Sequence, residues 1–304
     1  MNPKDLKGNL FLLVATVIWG CTFVAQDIAA DIIGAFEFHT VRTLIGAIIL
    51  VPVILVADKI KKANNTYVKP TKADNRNLIV GGALCGLCHC TAACLQQGGM
   101  ALGTEPGKAG FITAMYIIFV PIIGLFLKKK IQPHIYACIA LAIAGLYLLC
   151  VKNGLSVEFS DIVTLLCAVV FAFHIISVDV FVQKADCIKL SCLQFVVSGL
   201  LGCVMTFIFE GGFHPDLIIK AIGPILFAGV LSCGVAYTFQ VIGQKFSSSS
   251  TVASLIMSFE SVVATVAGAI ILKQMMSGRE LVGCVLMFIA IILSQIDIKV
   301  FKRK

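Results

Sequence analysis

The sequence predicts an all-α integral membrane protein: ten transmembrane helices arranged as two inverted five-helix repeats. Three observations predict it. The composition is too poor in charge to coat a globule. The chain divides into ten apolar runs of spanning length. A residue register recurs between its halves.

Hydrophobic residues make up 59 % of the 304 residues and charged residues 13 %, with a mean hydropathy of +1.00. A soluble domain carries about 25 % charged residues. A spanning helix needs about 20 mostly apolar residues, so ten spans and their short connections fill the chain and leave no soluble domain. Strands of a membrane barrel would alternate in polarity over about ten residues, whereas these runs are apolar on every side. The 13 cysteines fall almost wholly inside apolar runs and read as small packing residues, not as a disulfide framework. The net charge of +8 sits in short connections, so it is a topology signal and not a nucleic-acid surface.

The spans follow in order. Gly8 to Ala25 opens behind Lys4 and Lys7, without the small-residue cleavage site of a signal peptide. Phe36 to Val56 is followed by the longest polar connection, Asp58 to Asn77. Leu78 to Gly98 and Ala109 to Leu127 are separated by a Gly- and Pro-containing turn, and the triplet Lys128, Lys129 and Lys130 ends the second of them. Pro133 to Val151 closes a first half, residues 1–152. The second half, residues 153–304, contains Asp161 to Val182, Ile188 to Phe209, Ile218 to Ile242, Thr251 to Leu272 and Leu281 to Ile296. With the N-terminus inside, 18 Lys and Arg fall in inside segments and 5 in outside loops, and Arg42 lies within a span. That asymmetry predicts a multi-pass protein of the cell membrane with both termini cytoplasmic.

Gln96, Gly99, Ala109 and Gly124 each meet their own kind 144 residues later, at Gln240, Gly243, Ala253 and Gly268. Five spans is an odd number, so the second half enters the membrane from the opposite side. Inverted repeats of this kind characterise secondary transporters, because exchanging the two halves' conformations turns the access of a central site from one side to the other.

The motifs resemble those of the drug/metabolite transporter superfamily, in its EamA-type branch. The first span carries Trp19-Gly20-Cys21-Thr22-Phe23-Val24 and the second Phe38-x-x-x-Arg42. The third and fourth carry Leu95-Gln96-Gln97-Gly98, Ala109-Gly110-Phe111-Ile112-Thr113 and Phe119-Val120-Pro121. The second half reads Ala236-Tyr237-Thr238-Phe239-Gln240 and Ala253 to Glu260. The resemblance covers the whole chain and implies export of amino acids or related small metabolites. One departure stands out: Leu272-Lys273-Gln274 replaces the family's usual Leu-Gly-Glu.

Polar groups inside spans cost at least about 2.5–3.5 kcal/mol each at mid-depth when charged, so they mark candidate sites. Glu260 lies near the middle of the ninth span, with Tyr116 at the matching place in the fourth. It serves substrate or proton coupling, or it is a structural carboxyl held by Ser258 or Ser261. Arg42 reaches the interface, pairs with Glu37 or faces cargo. His89 and His174 lie near mid-depth. Gln96 and Gln240 are repeat mates able to donate and accept. Trp19, the single tryptophan, and Tyr237 in the eighth span are the aromatic candidates. These nine residues form the expected lining of a cavity for a small-molecule substrate.

Cys85-x-x-Cys88-His89-Cys90 shares one helix face, but zinc signatures pair two such clusters and no second exists. Helix packing aided by Gly82-x-x-x-Gly86 accounts for it, so no metal and no cofactor is expected. Enzyme signatures are lacking too. The alternatives are an intramembrane enzyme using Glu260 with a histidine, and a phosphorylated-sugar or nucleotide-sugar carrier, which would need several buried cations where this chain has Arg42.

Overall fold

The computed structural model describes residues 3–104, 106–128, 131–151, 158–247, 249–271 and 276–294. Their regular structure is helical: α1 (Pro3–Ala30), α2 (Ala35–Ala63), α3 (Lys72–Ala101), α4 (Pro106–Ala114), α5 (Tyr116–Phe126), α6 (Pro133–Cys150), α7 (Phe159–Phe181) and α8 (Cys187–Phe209). There follow α9 (Pro215–Lys220), α10 (Ile222–Leu226), a π-helical segment (Phe227–Ala236), α11 (Tyr237–Phe246), α12 (Ser250–Met257), α13 (Glu260–Ile271) and α14 (Gly278–Ser294). Among the described residues, eight stretches are long and apolar enough to cross a membrane, and α6 is a shorter apolar helix. The Leu272-Lys273-Gln274 motif, Lys129, Lys130, Lys152, Asp297 and the basic C-terminal residues lie outside the described residues.

Helix starts follow local chemistry. Thr71 and Asp74 form a reciprocal capping box on α3, and the Asp186 carboxylate accepts from the Ile188 and Lys189 amides at the start of α8. Such caps satisfy amides that have no partner inside the helix. Leu10, Ile48, Leu55, Phe126, Phe209 and Ile270 are exposed, while Thr16, Gln194, Gln240, Gln244 and Ser254 are buried. An apolar exterior around a polar interior suits lipid as solvent.

Two of the continuous spans expected from the sequence are broken. The fourth divides at Met115 into α4 and α5, and the ninth divides at Ser258 and Phe259 into α12 and α13. At each break the backbone tightens into i→i−3 bonds, such as Met115 N–H to Ile112 O and Phe259 N–H to Ile256 O. In the ninth, Ser254 and Ser258 hydroxyls bond back to Thr251 and Leu255 carbonyls, a competition that bends helices. In the fourth, Pro121 lies beyond the break, inside α5, where it removes the donor for Ile117. The eighth span is also irregular. Pro224 cannot donate to Lys220, where α9 ends, and a π segment precedes Tyr237.

The halves match in detail. α2 and α8 begin 152 residues apart, while α4 and α12, and α5 and α13, begin 144 apart. The offset drops because α2 and its following loop outrun α8 and its loop. Packing repeats with the halves exchanged: α3 lies along α7 as α11 and the π segment lie along α1. α2 meets α8, and α6 meets α14. At the α6–α14 crossing, a Cβ added to Gly283 would come within 2.7 Å of the Gly145 carbonyl oxygen. The largest core cluster fills the space between α4–α7 and α12–α14, around Ile117, Leu146, Leu255 and Met287.

Both ends of the α2–α8 pair are laced. At one end Lys61 pairs with Asp186 and Lys189 with Asp58, each at 2.7 Å. At the other, the Glu210 carboxylate accepts from the Phe36 and Glu37 amides at 2.9 and 2.7 Å. Glu37 is fully buried and takes the His214 amide and ring as partners.

Candidate functional site

The nine residues singled out from the sequence line one cavity of about 80 Å³. Trp19 comes from α1, Arg42 from α2, His89 and Gln96 from α3, Tyr116 from α5, His174 from α7, Tyr237 and Gln240 from α11, and Glu260 from α13. Seven helical elements from both halves converge there.

The two broken helices meet at its centre. Tyr116 is the first residue of α5 and Glu260 the first of α13. The Tyr116 hydroxyl donates to Glu260 Oε1 at 3.3 Å. The two residues are repeat mates, 144 positions apart, in direct contact. Each opens a half-helix, where unpaired amides and the helix dipole favour negative charge. Ser258, expected as a structural partner of this carboxyl, instead bonds back along its own helix.

Aromatic rings form one wall. Tyr237 stands edge-on to Trp19 with centroids 4.7 Å apart, to His89 at 4.9 Å and to Phe195 at 5.3 Å. Trp19 is thus a cavity residue and not part of an interfacial belt. Arg42 does not pair with Glu37. Its guanidinium lies 5.3 Å from the Phe38 ring centroid, because Glu37 sits at the helix end and His214 has taken it.

Several polar atoms here are buried without a partner: the Trp19 indole N–H, Arg42 Nε and Gln240 Oε1. A buried polar atom left unpaired costs about 1–3 kcal/mol. The aromatic-walled cavity thus presents two donors, an acceptor and a carboxyl. Gln96 is already engaged, donating to Thr113 at 3.0 Å.

Sequence reasoning missed Thr22, Gln26, Thr113 and Ser232 on the lining. Thr22 and Thr113 lie inside quoted motifs, and Gln26 is one helical turn past Thr22, so helical spacing was the available signal. It also missed His39, which is 2 % exposed and stacks near His89, centroids 5.4 Å apart. Cys85 packs with Val178, Val182 and Leu190. A Cβ added to Gly86 would lie 2.6 Å from the Gln194 carbonyl oxygen, so this face of α3 is a close helix contact. Among the described residues, no group of three His, Cys, Asp or Glu is placed to hold a metal ion.

A family model described as the EamA-like transporter family matches residues 6–151 and again residues 158–295. The chain belongs to the EamA-like transporter family. It therefore carries two EamA-like repeats and is a multi-pass membrane protein with a transporter's fold. An "Uncharacterized transporter" of Archaeoglobus fulgidus (strain ATCC 49558 / DSM 4304 / JCM 9628 / NBRC 100126 / VC-16) is 25 % identical over 295 residues, covering 95 % of this chain and 86 % of that protein. The "Uncharacterized transporter YoaV" of Bacillus subtilis (strain 168) is 25 % identical over 288 residues, covering 92 % and 94 %. A solved crystal structure superposes with a TM-score of 0.76 at 15 % identity, over 95 % of this chain and 96 % of that one; the likeness is one of fold.

Proposed function

We propose that this EamA-like protein is a ten-helix secondary transporter of the cell membrane. It exports amino acids or related small metabolites by alternating access between residues 1–152 and 153–304, two halves of inverted topology with both termini cytoplasmic. The contact between Tyr116 and Glu260 carries the proposal. Two helices broken at repeat-related positions bring their half-helix ends together on a polar cavity, the arrangement in which carriers bind cargo.

The polar groups of the cavity fit a zwitterion. Arg42 and the Trp19 N–H suit a carboxylate, Glu260 and Gln240 Oε1 suit an ammonium, and the aromatic wall suits an apolar side chain. Glu260 exchanges a proton for the ammonium group. In this topology the cavity, which follows α1 from Trp19 to Gln26, faces outward. α5 packed on α12, with Ile117, Leu255 and Met257 buried, closes the cytoplasmic side.

The test is flux. Purified protein in liposomes, loaded with a mixture of the twenty amino acids, should release a subset faster than empty liposomes do. Release unchanged by the protein for every amino acid would refute the cargo class.

A further inference from the structure

We propose that His89, Ser198 and His39 form a buried chain that takes a proton from the cavity and stores it between α2 and α8. Ser198 is fully buried on α8. His89 Nδ1 lies 2.9 Å from its Oγ, and His39 Nε2 lies 3.1 Å from the same oxygen. A hydroxyl has one proton, so it donates to one ring and accepts from the other. The three groups have a direction, and the direction can reverse.

The transfer balances. A proton arrives at His89 Nε2 from the cavity, which His89 lines. The His89 Nδ1 proton passes to Ser198 Oγ as the Ser198 hydroxyl proton passes to His39 Nε2. His89 is left neutral in its other tautomer and His39 as an imidazolium. One proton has entered, and no bond between heavy atoms has changed. His174 extends the cavity end: its ring lies 5.9 Å from that of His89, and its Nε2 is held by Gln194 Oε1 at 3.0 Å.

The far end is closed. His39 is 2 % exposed; its Nδ1 has no nitrogen or oxygen partner, and the group beside the ring is the Cys90 thiol, itself 2 % exposed. Close packing surrounds it; a Cβ added to Gly202 would meet the His39 ring at 3.2 Å. A proton stored there leaves by the way it came. The store equilibrates with whichever side of the membrane the cavity faces.

The groups facing the chain are Arg42 from α2, Cys90 from α3, His174 from α7 and Tyr237 from α11, while α8 contributes Gln194 and the Phe195 ring. Arg42 is the nearby fixed positive charge among them. An anion seated on Arg42 offsets its repulsion of the stored proton, so anion binding and proton storage favour each other. Linkage makes that effect reciprocal. Two histidines from different helices sharing one buried hydroxyl are more than packing needs.

The inference deepens the transport reading, but its test needs no cargo. Protein labelled with ¹⁵N-histidine in lipid nanodiscs is titrated from pH 8 to pH 4.5 while ring-nitrogen signals are followed. His39→Gln and His89→Gln assign them. In the wild type, His39 and His89 should change together, at one midpoint. Ser198→Ala should give each ring its own midpoint, at least about one pH unit apart, because without the shared hydroxyl the two no longer report a single macroscopic step. His39 signals unchanged across the range in the wild type would overturn the store, as would a common midpoint surviving in Ser198→Ala. If that variant does not fold, the wild type with His39→Gln decides, because loss of His39 must move the His89 midpoint. Absence of amino-acid flux beside a joint titration would refute the cargo class and leave the store standing.

Discussion

Glu260→Gln separates a working carboxyl from a structural one. The Tyr116 hydroxyl sits 3.3 Å from Glu260 Oε1, longer than the 2.5–2.7 Å usual for a hydroxyl on a charged oxygen. An amide oxygen at the same place still accepts that bond. A net hydrogen bond is worth about 0.5–1.5 kcal/mol, so the swap should change stability by under about 1 kcal/mol. Transport should respond far more. A gradient of about two pH units holds roughly 2.7 kcal/mol per proton, enough to sustain a hundredfold cargo ratio at one proton per cargo. Removing the ionisable group removes access to that energy. Proteoliposomes with imposed pH gradients, assayed with the amino-acid mixture and normalised to folded protein, should show accumulation falling from tens-fold toward unity in the Gln variant. Cargo-for-cargo exchange should persist. Unchanged gradient-driven accumulation in Glu260→Gln would refute the coupling role. Lost stability with activity per folded molecule intact would show a structural carboxyl.

Gly86→Leu should cost about 1–3 kcal/mol by overpacking, because its Cβ would sit 2.6 Å from the Gln194 carbonyl oxygen; Gly98→Ala, with nothing within 4 Å, should leave the melting temperature unchanged. Burial disfavours charge on Asp186, but Lys61 and the Lys189 and Ile188 amides hold its carboxyl below the usual carboxylate range. Its contribution is therefore present at neutral pH and lost as pH falls through that lowered value. Because the pair is partly solvent-screened, Asp186→Asn should cost at most about 1 kcal/mol at pH 7, a difference that vanishes in acid melts. Alkaline phosphatase fused after residue 304 should be inactive, and strong activity would reverse the topology. Trp19→Leu should keep the fold, since the ring faces a cavity, yet weaken flux at least tenfold by removing the Tyr237 contact and a free N–H donor; normal flux would exclude Trp19 from the cargo path.

The cavity was more legible than the helices that build it. Charged and amide groups inside apolar runs are costly, so Glu260, Arg42, Gln96 and Gln240 announce themselves wherever they stand. The 144-residue register named Tyr116 as the partner of Glu260 from sequence, and those two residues touch. His39 escaped because it follows Phe38 in a motif read for its ends, and a histidine's partners are set by packing across helices. The breaks at Met115 and at Ser258–Phe259 escaped because neither holds a proline or glycine.

Composition, the lengths of the apolar runs and the 144-residue register by themselves determined the solvent of this protein, its helical class and the doubled plan, because the hydrocarbon core tolerates so few backbone solutions. Tertiary structure alone decided which polar groups meet. Arg42 lies over Phe38 and not on Glu37, Ser198 ties two histidines from different helices, and Trp19 turns inward to Tyr237. Local sequence fixes the face a side chain occupies on its own helix. The partner across the gap depends on crossing angles and on small residues such as Gly86, Gly145 and Gly283 that let backbones approach, and these are properties of helix pairs.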